Sequence, residues 1–421
     1  MFDTFVKKAK LAFSDEDIRR RILYTLGGLF LFRVLAAVPA PGIDPTNLTQ
    51  FFADNQVFGL LNVLTGGGLS SISIVMLGIG PYITAAIIMQ LMTVMSPKLK
   101  SMYHDEGQAG KRKFTQYSRL LTVPLAAIQG FGFLTLLQRQ GVLGQLDWFQ
   151  MLTSVIVITA GAVLLMWIGE LITEFGIGNG ISLLIFAGIV ARLPQALSQL
   201  IFQFTRDQLF MYAAFLVAAV AIVYGIVAVT EAKRPIPITY SKQRGEGGNQ
   251  NVSTYLPLKL NQAGVMPIIF GLSIMLFPQM IINVLGYGPQ AGGVIGFLQS
   301  IYNNDVLYAA IYFVLVFLFT FFYTAITFEP DSVAENLQKS GAFIPGVRPG
   351  ESTRQYIAKI MSRVTFSGGV FLGLIAILPI IMQQITGMQR LAIGGTALLI
   401  VVAVLVDVIK RLDGQIAMRQ Y

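Results

Sequence analysis

Few residues in this chain could perform nucleophilic, acid–base or metal chemistry. It has no cysteine, and its single histidine, His104, lies in a polar segment where a solvated side chain is expected. Ser367, in the stretch TFSGG, has no histidine at its depth to act as a base. The HExxH pattern of zinc hydrolases and the GxxxxGK[ST] pattern of nucleotide-binding loops are both absent from the sequence. We therefore predict a protein that is not an enzyme and that uses no metal or other cofactor.

Acidic residues that could couple transport to protons or sodium ions are almost missing from the apolar segments. Pumps of that kind keep Asp, Glu or His near the middle of the membrane. Glu170 and Glu174 lie at the end of one apolar segment, and we interpret them as helix-end charges. The sequence thus disfavours an ion-driven pump. It leaves open two alternatives to a channel, namely a secondary transporter of a small solute with broken helices and a purely structural membrane scaffold.

The composition is that of a polytopic membrane protein. Hydrophobic residues make up 54% of the 421 residues, charged residues only 12%, and the mean hydropathy is +0.67. Apolar windows of about 20 residues, the length that crosses a bilayer as a helix, recur along the chain. We count ten of them, at 22–38, 72–94, 120–137, 149–172, 181–200, 209–229, 263–285, 306–328, 364–385 and 391–409.

These windows predict an all-α fold of ten transmembrane helices in two pseudo-symmetric halves of five. The halves comprise 22–200 and 201–409. Residues 1–21 form a charged amphipathic N-terminus, and 410–421 form a tail. The division into halves rests on the count of windows, since the sequence shows no clear internal repeat.

Lysine and arginine are concentrated in alternate connections, and such segments remain on the cytoplasmic side. The basic segments are the N-terminus, the connections between windows two and three, six and seven, and eight and nine, and the C-terminus. Both termini are therefore predicted to be cytoplasmic, as an even number of spans requires. The net charge of +9 is explained either by this topology together with anionic phospholipid or by docking of ribosomal RNA or an acidic partner on loops 230–259 and 329–355.

The stretch 60–95 is interrupted by three glycines, Gly66, Gly67 and Gly68. Each costs roughly 1 kcal/mol relative to alanine inside a helix. We therefore predict a short helix, a hinge and then a full span, and we interpret the stretch as part of a pore or substrate pathway. Other interruptions are predicted at Pro267, Pro278, Pro379, Gly394 and Gly395.

Five motifs, in order and spacing, resemble those of the SecY family, the channel subunit of the bacterial protein-conducting translocon. They are GIGPYITAAIIMQLMTVMSP, GELITEFGIGNGISLLIFAGIV, LPLKLNQAGVMPIIF, GAFIPGVRPGEST and GGTALLIVV. The resemblance covers nearly the whole chain. It implies a channel that passes unfolded secretory polypeptides across the membrane and releases transmembrane segments sideways into lipid through a lateral gate.

Site residues are also implied by this resemblance. A constriction ring is implied at Ile79, Ile83, Ile181, Ile185, Ile269 and Ile400. A plug helix at about 60–70 is implied beneath it, with Leu60, Leu64, Gly66, Gly67 and Gly68. A lateral gate is implied between spans two and three on one side and seven and eight on the other, with polar residues at Thr84, Gln129 and Asn261.

The partners follow from the same resemblance. Arg348 is the implied contact for the SecA motor ATPase and the ribosome, with Arg244 and Lys242 as weaker contacts because loop 242–251 departs from the family. The small membrane subunits SecE and SecG, signal peptides and nascent chains are the other implied partners. The implied location is the bacterial cytoplasmic (inner) membrane.

Overall fold

The computed structural model describes residues 14–41, 72–139, 146–191, 209–240, 254–285, 304–386 and 389–417, together with a few isolated positions. Most of this part of the chain is helical. The helices are α1 (Glu16–Ala37), α2 (Gly80–Met95), α3 (Pro97–His104), α4 (Gly107–Arg139), α5 (Trp148–Phe175), α6 (Gly180–Val190), α7 (Leu209–Glu231), α8 (Met266–Leu285), α9 (Asp305–Thr327), α10 (Pro330–Lys339), α11 (Glu351–Thr386) and α12 (Gln389–Ala417).

Each of the ten apolar windows overlaps one of these helices. Within the described ranges, four helices are long and apolar enough to cross a membrane by themselves, namely those that begin at Gly107, Trp148, Asp305 and Glu351. A fifth span results if α2 and α3, which meet at an angle of 115°, are taken as one broken segment. The count of ten spans therefore remains a prediction.

The predicted domain boundaries at the two ends of the chain do not coincide with breaks in structure. Helix α1 begins at Glu16, where the side chain of Asp15 accepts hydrogen bonds from the first turn, and it continues without interruption past residue 22. Helix α12 continues past Lys410 to Ala417. The described charged segments 16–21 and 410–417 therefore extend the flanking helices.

Several predicted interruptions are also absent. Helix α8 continues through Pro278, and α11 and α12 continue through Pro379 and the Gly394–Gly395 pair. A proline removes one backbone hydrogen bond and bends a helix, but neighbouring helices can hold the helical conformation on both sides of it. The break that the structure does contain lies before α2. Residues 72–79 are not helical, so this span begins at Gly80 rather than at Ile72 as predicted.

The prediction of an all-α fold is wrong in one respect, because a three-stranded antiparallel sheet is present. Its strands β1 (Lys233–Tyr240), β2 (Thr254–Lys259) and β3 (Ala342–Phe343) are ordered β2-β1-β3. The sheet thus joins two loops that are distant in sequence. Its apolar face packs with the first turns of α11, through Ile236 of β1, Leu258 of β2 and Ile357 of α11. Non-local pairing of this kind gives no periodic signal within either loop.

The register of the sheet explains how it accommodates prolines. The N–H of Leu260 donates to the carbonyl of Ala232 at 2.9 Å. In an antiparallel pair every second residue pair is hydrogen-bonded. Counting from this bond places Pro235 opposite Pro257 in a pair that exchanges no N–H, so neither proline breaks the ladder.

The basic segments meet at one end of the molecule. Lys410 of α12 pairs with Glu231 of α7 at 2.6 Å, and Lys100 of α3 lies 3.8 Å from Glu329, just before α10. The first turn of α1 packs on the last turns of α12 through Ile18 and Ile416. Both helices that carry the chain ends, and the three basic connections, therefore share one end, as the distribution of charge predicts.

Candidate functional site: an apolar ring and a lateral seam

Six isoleucines from both halves of the chain meet in one apolar cluster. Four of them are buried, and the other two are partly buried and pack against the same cluster. They are Ile79 and Ile83 at the start of α2, Ile181 and Ile185 on α6, Ile269 on α8 and Ile400 on α12. Among the described residues, none of the buried side chains carries a charge. The predicted ring residues thus all belong to one large apolar core cluster, which contains many other residues as well.

The segment 72–79 positions the first of these isoleucines. It forms a short antiparallel bridge with the end of α1, in which Ala40 donates to the carbonyl of Ile72 at 2.7 Å and Ile74 donates to the carbonyl of Val38 at 3.0 Å. These bonds satisfy buried backbone groups that have no helix to pair them. Ile72 has φ of 39°, an uncommon conformation for a β-branched residue. The segment is therefore held by several contacts along its length.

Helix α2 begins where this segment ends. Gly78 has φ of 57°, which reverses the chain at low cost, and Pro81 lies in the first turn, where its missing N–H is not needed. Ile79 and Ile83 lie one helical turn apart and so share a face. Gly78 and Pro81 are the local signals that could have placed the helix start at Gly80.

A compact turn between α5 and α6 positions Ile181 and Ile185. The side chain of Asn179 caps α6 by accepting hydrogen bonds from the backbone of Ile181 at 3.0 Å and Ser182 at 3.3 Å. The hydroxyl of Thr173 accepts the N–H of Gly180 at 2.8 Å, and Gly178 has φ of 85°. The sequence GIGNGIS therefore fixes where α6 begins.

A second apolar cluster forms a seam between α2 on one side and α8 and α9 on the other. Its buried members are Ile87, Phe270 and Phe319. The ring of Phe270 stands edge-on to those of Phe319 and Tyr323, with centroids 6.0 and 5.9 Å apart. The seam lies along the predicted lateral gate, and the members of this cluster on both sides of it are apolar or aromatic.

The predicted polar gate residues make local hydrogen bonds. Thr84 donates to the carbonyl of Gly80 on its own helix at 3.0 Å. The amide nitrogen of Asn261 donates to the carbonyl of Gly264 at 3.1 Å, while its Oδ1 atom is buried without a partner in the described structure. Gln129 is partly buried on α4.

Sequence reasoning missed Gln90, whose Oε1 atom is also buried without a partner among the described residues. Gln90 lies three residues beyond Ile87 and seven beyond Ile83, so all three fall on the same face of α2. The helical spacing from the ring isoleucines was the signal that could have revealed it.

Helices α8, α9 and α11 interlock through aromatic residues that sit against glycines. A Cβ at Gly373 of α11 would lie 2.7 Å from the ring of Phe313, and one at Gly369 would lie 3.1 Å from the ring of Phe317. The hydroxyl of Tyr312 on α9 donates to the carbonyl of Ile268 on α8 at 3.4 Å. The spacing Gly-xxx-Gly on α11 is typical of close helix packing in membranes.

The predicted docking residue Arg348 is exposed in the turn between β3 and α11. Its carbonyl accepts a hydrogen bond from the hydroxyl of Thr353 at 2.9 Å, which shapes the turn. Lys242 and Arg244 lie outside the described residues, as do the predicted plug residues Leu60, Leu64, Gly66, Gly67 and Gly68.

Glu170 pairs with Arg119 of α4 at 2.8 Å, and Glu174 is exposed one turn further along α5. The two carboxylates therefore lie near the end of their helix, where the first has a basic partner. This agrees with their interpretation as helix-end charges.

Comparison with known proteins identifies relatives of this arrangement. The SecY family model matches residues 73–409. The protein translocase subunit SecY of Mycobacterium bovis is 41% identical over 431 residues, which cover 96% of each chain. The protein translocase subunit SecY of Synechocystis is 40% identical over 430 residues, which cover 100% of this chain and 96% of the relative.

Solved structures show the same fold. A protein conducting channel aligns with a TM-score of 0.67 at 19% identity, over 94% of this chain and 92% of that chain. The channel of the canine ribosome–channel complex from the endoplasmic reticulum aligns with a TM-score of 0.65 at 18% identity, over the same shares. The matches do not support a small-solute transporter. The chain belongs to the SecY family of protein translocase subunits.

Proposed function

We propose that this protein is a protein-conducting channel whose constriction is formed by the six isoleucines. The observation that carries the proposal is their convergence: α2, α6, α8 and α12, which come from both halves of the chain, each bring isoleucine to one apolar cluster. Unfolded secretory polypeptides would pass between these helices. The relatives are named as protein translocase subunits, which supports the same substrate class.

An apolar constriction suits a substrate of arbitrary sequence. A narrow apolar passage excludes water and therefore blocks ions without binding them. Aliphatic side chains can yield around an extended chain, and they form no hydrogen bonds that would favour one substrate over another. A charged ring would instead retain substrate segments of the opposite charge.

We further propose that the seam of Ile87, Phe270 and Phe319 opens sideways as a lateral gate. Its packing contacts can separate without leaving ion pairs broken in lipid. A segment in the open gate would partition according to its own hydrophobicity. A leucine-like residue contributes about −0.3 to −0.6 kcal/mol to the free energy of membrane insertion, and a charge at the centre of the membrane contributes about +2.5 to +3.5 kcal/mol. A single charge would thus offset several leucines.

Docking is assigned to the sheet and to the exposed turn at Arg348, with Lys242 and Arg244 in the neighbouring loop. The proposed partners are the SecA motor and the ribosome, and the ribosome is supported by the ribosome–channel complex of similar fold. SecE and SecG would complete the membrane assembly, and anionic phospholipid would contact the basic end. The proposed setting is the bacterial cytoplasmic membrane, with ten spans and both termini in the cytoplasm.

The plug is proposed at about 60–70, directly before the segment that carries Ile79. A related SecY protein has a plug domain described as stabilising the closed state and maintaining a membrane seal. Signal peptides and nascent chains would displace it on entering the channel.

Cysteine crosslinking tests the channel directly, because the chain has no native cysteine. Single cysteines at Ile79, Ile185 and Ile269 are expected to crosslink to a secretory chain stalled during translocation. Ile156→Cys is the matched control, since Ile156 is an isoleucine on α5 that is 59% exposed and belongs to none of the core clusters. Crosslinks at Ile156 as strong as those at the ring positions, or none at the ring, would refute the proposed path.

A further inference from the structure

Helix α5 contributes no isoleucine to the ring. Two of its glycines nevertheless touch the ring-bearing segments of the N-terminal half, Gly161 the segment before α2 and Gly169 the start of α6. We propose that Gly161 and Gly169 are positioning residues that set the closed width of the constriction. This inference rests on the ring proposed above. It assigns the alignment of Ile79, Ile83, Ile181 and Ile185 to one supporting helix.

Gly161 receives the backbone of the segment before α2. A Cβ at this position would lie 1.9 Å from the carbonyl oxygen of Ile74 and 2.7 Å from its carbonyl carbon. The colliding atoms belong to the backbone and cannot move aside by a rotamer change. Any side chain at Gly161 must therefore displace the segment itself.

The displacement would be transmitted to the ring. Val75 and Met76 are fully buried, and the bridge to α1 fixes the other end of the segment at Ile72 and Ile74. Only four residues separate Ile74 from Ile79, after which α2 continues as a helix. Ile74 is itself bonded to α1 through its N–H, so a push on its carbonyl group can be relieved only towards the other end of the segment, which carries Ile79.

Gly169 performs the equivalent role for α6. A Cβ at Gly180, the first residue of α6, would lie 2.0 Å from the carbonyl oxygen of Gly169, so the two backbones touch. A Cβ at Gly169 itself would lie 3.2 Å from Ile181 and 3.3 Å from Leu184. These are side-chain atoms that can yield by a few tenths of an ångström. A change at Gly169 should thus affect the ring less than one at Gly161.

The two glycines lie two helical turns apart on α5, about 12 Å along its axis at 1.5 Å per residue. One rigid helix therefore sets the relative depth of α2 and α6. Since both segments are in backbone contact with α5, the positions of their isoleucines depend on its surface more than on contacts between the isoleucines.

The test is the resting ion conductance of single channels in planar bilayers without substrate. Gly161→Ala is expected to raise it severalfold, and Gly169→Ala to raise it by a smaller factor. Gly27→Ala and Gly414→Ala are matched controls, because a Cβ at either position meets nothing within 4 Å. Their conductance should equal that of the unmodified channel.

The double variant Ile83→Gly with Ile185→Gly separates this inference from the ring itself. If the double variant leaks while Gly161→Ala and Gly169→Ala do not, the ring stands and the positioning role is refuted. If the double variant does not leak, the ring is wrong and the inference falls with it. Should Gly161→Ala fail to accumulate, Gly169→Ala decides the question, because its contacts are softer. A merely structural role would lower the amount of assembled channel and leave the conductance of each channel unchanged.

Discussion

At the scale of single residues, Asn261 is the side chain that we expect to bias the proposed gate. Its amide nitrogen is bonded to Gly264, but its Oδ1 atom is buried without a partner in the described structure. A buried unsatisfied acceptor costs about 1–3 kcal/mol. If opening of the seam lets water or a peptide N–H reach this atom, the cost is paid only in the closed state. Asn261 would then hold the gate close to opening.

Asn261→Leu is accordingly expected to stabilise the closed seam by about 1 kcal/mol, which is roughly a fivefold change in the gating equilibrium. Test segments should then need more hydrophobic residues to enter the membrane, as measured by insertion of a graded series of leucine-containing segments. Thr153→Val on α5 is the control, since its hydroxyl bonds within its own helix, and it should leave the threshold unchanged. A threshold that falls, or stays the same, with Asn261→Leu would contradict the role given to Oδ1.

At the scale of elements, α8, α9 and α11 form one wall because aromatic rings of α9 fill the space left by glycines on its neighbours. The ring of Tyr312 packs against Gly271 of α8, and the ring of Phe313 packs against Gly373 of α11. Phe270 of α8 belongs to the seam cluster together with Ile87 of α2. Interlocked contacts within the wall and simple packing across the seam predict that α8 moves together with α9 and α11.

Gly373→Ala is expected to weaken this wall. The added Cβ would lie 2.7 Å from the ring of Phe313, and overpacking of this kind costs about 1–3 kcal/mol. The thermal unfolding temperature in detergent should fall, and Phe313→Leu in the same chain should restore part of the loss by making room. Gly414→Ala, in open space, should cause no fall. An unfolding temperature for Gly373→Ala equal to that of the Gly414 control would show that the wall is not tightly packed there.

The elements also show how far sequence reasoning extends. Runs of apolar residues long enough to cross a membrane predict helices, and all ten windows overlap one. The start of α2 was misplaced because Ile72 to Ile79 are as apolar as a helix, and only Gly78 and Pro81 mark the true boundary. The sheet was missed because β1 is rich in proline, its nearby partner β2 also contains a proline, and β3 lies about a hundred residues away.

The candidate site depended on two kinds of information. The isoleucines could be named only from resemblance to a family, because nothing in their local sequence distinguishes them from residues that face lipid. That they meet in one cluster is a property of the packing of four helices. The supporting contacts at Gly161 and Gly169 are close approaches between the backbones of distant segments. Such contacts require glycine, but a glycine in the sequence does not show that such a contact exists.

On the scale of the whole molecule, the sheet joins two loops that are distant in sequence into one unit and connects this unit to α8. Strand β2 ends at Lys259, and α8 begins at Met266 after a short turn whose Leu260 carbonyl lies against Gly368 of α11. A partner bound to the turn at Arg348, as proposed, would therefore hold the same body from which α8, the proposed gate helix, emerges.

Arg348→Glu is expected to reduce SecA-driven export of a secretory precursor into vesicles about tenfold or more, because a contact to a charged group is worth about 1.5–3 kcal/mol. The channel should still assemble, since the turn is shaped by the hydrogen bond from the Thr353 hydroxyl to the backbone carbonyl of Arg348 and not by the arginine side chain. Lys359→Glu, an exposed charge reversal on α11, serves as the control and should export normally. Equal export by the two variants would remove Arg348 from the docking surface.

The prolines of the sheet have a consequence for a molecule that handles unfolded chains. Exposed strand edges capture extended polypeptides by adding them as a new strand. Pro257 and Pro235 face each other in a pair without hydrogen bonds, so the nitrogen of Pro257 faces the outer edge of β2. Pro235 and Pro237 leave the other edge of β1 without N–H donors in the part that the two-residue strand β3 does not cover. Neither edge offers an unbroken row of N–H groups. The sheet can therefore stand beside a stream of extended substrate without aggregating with it.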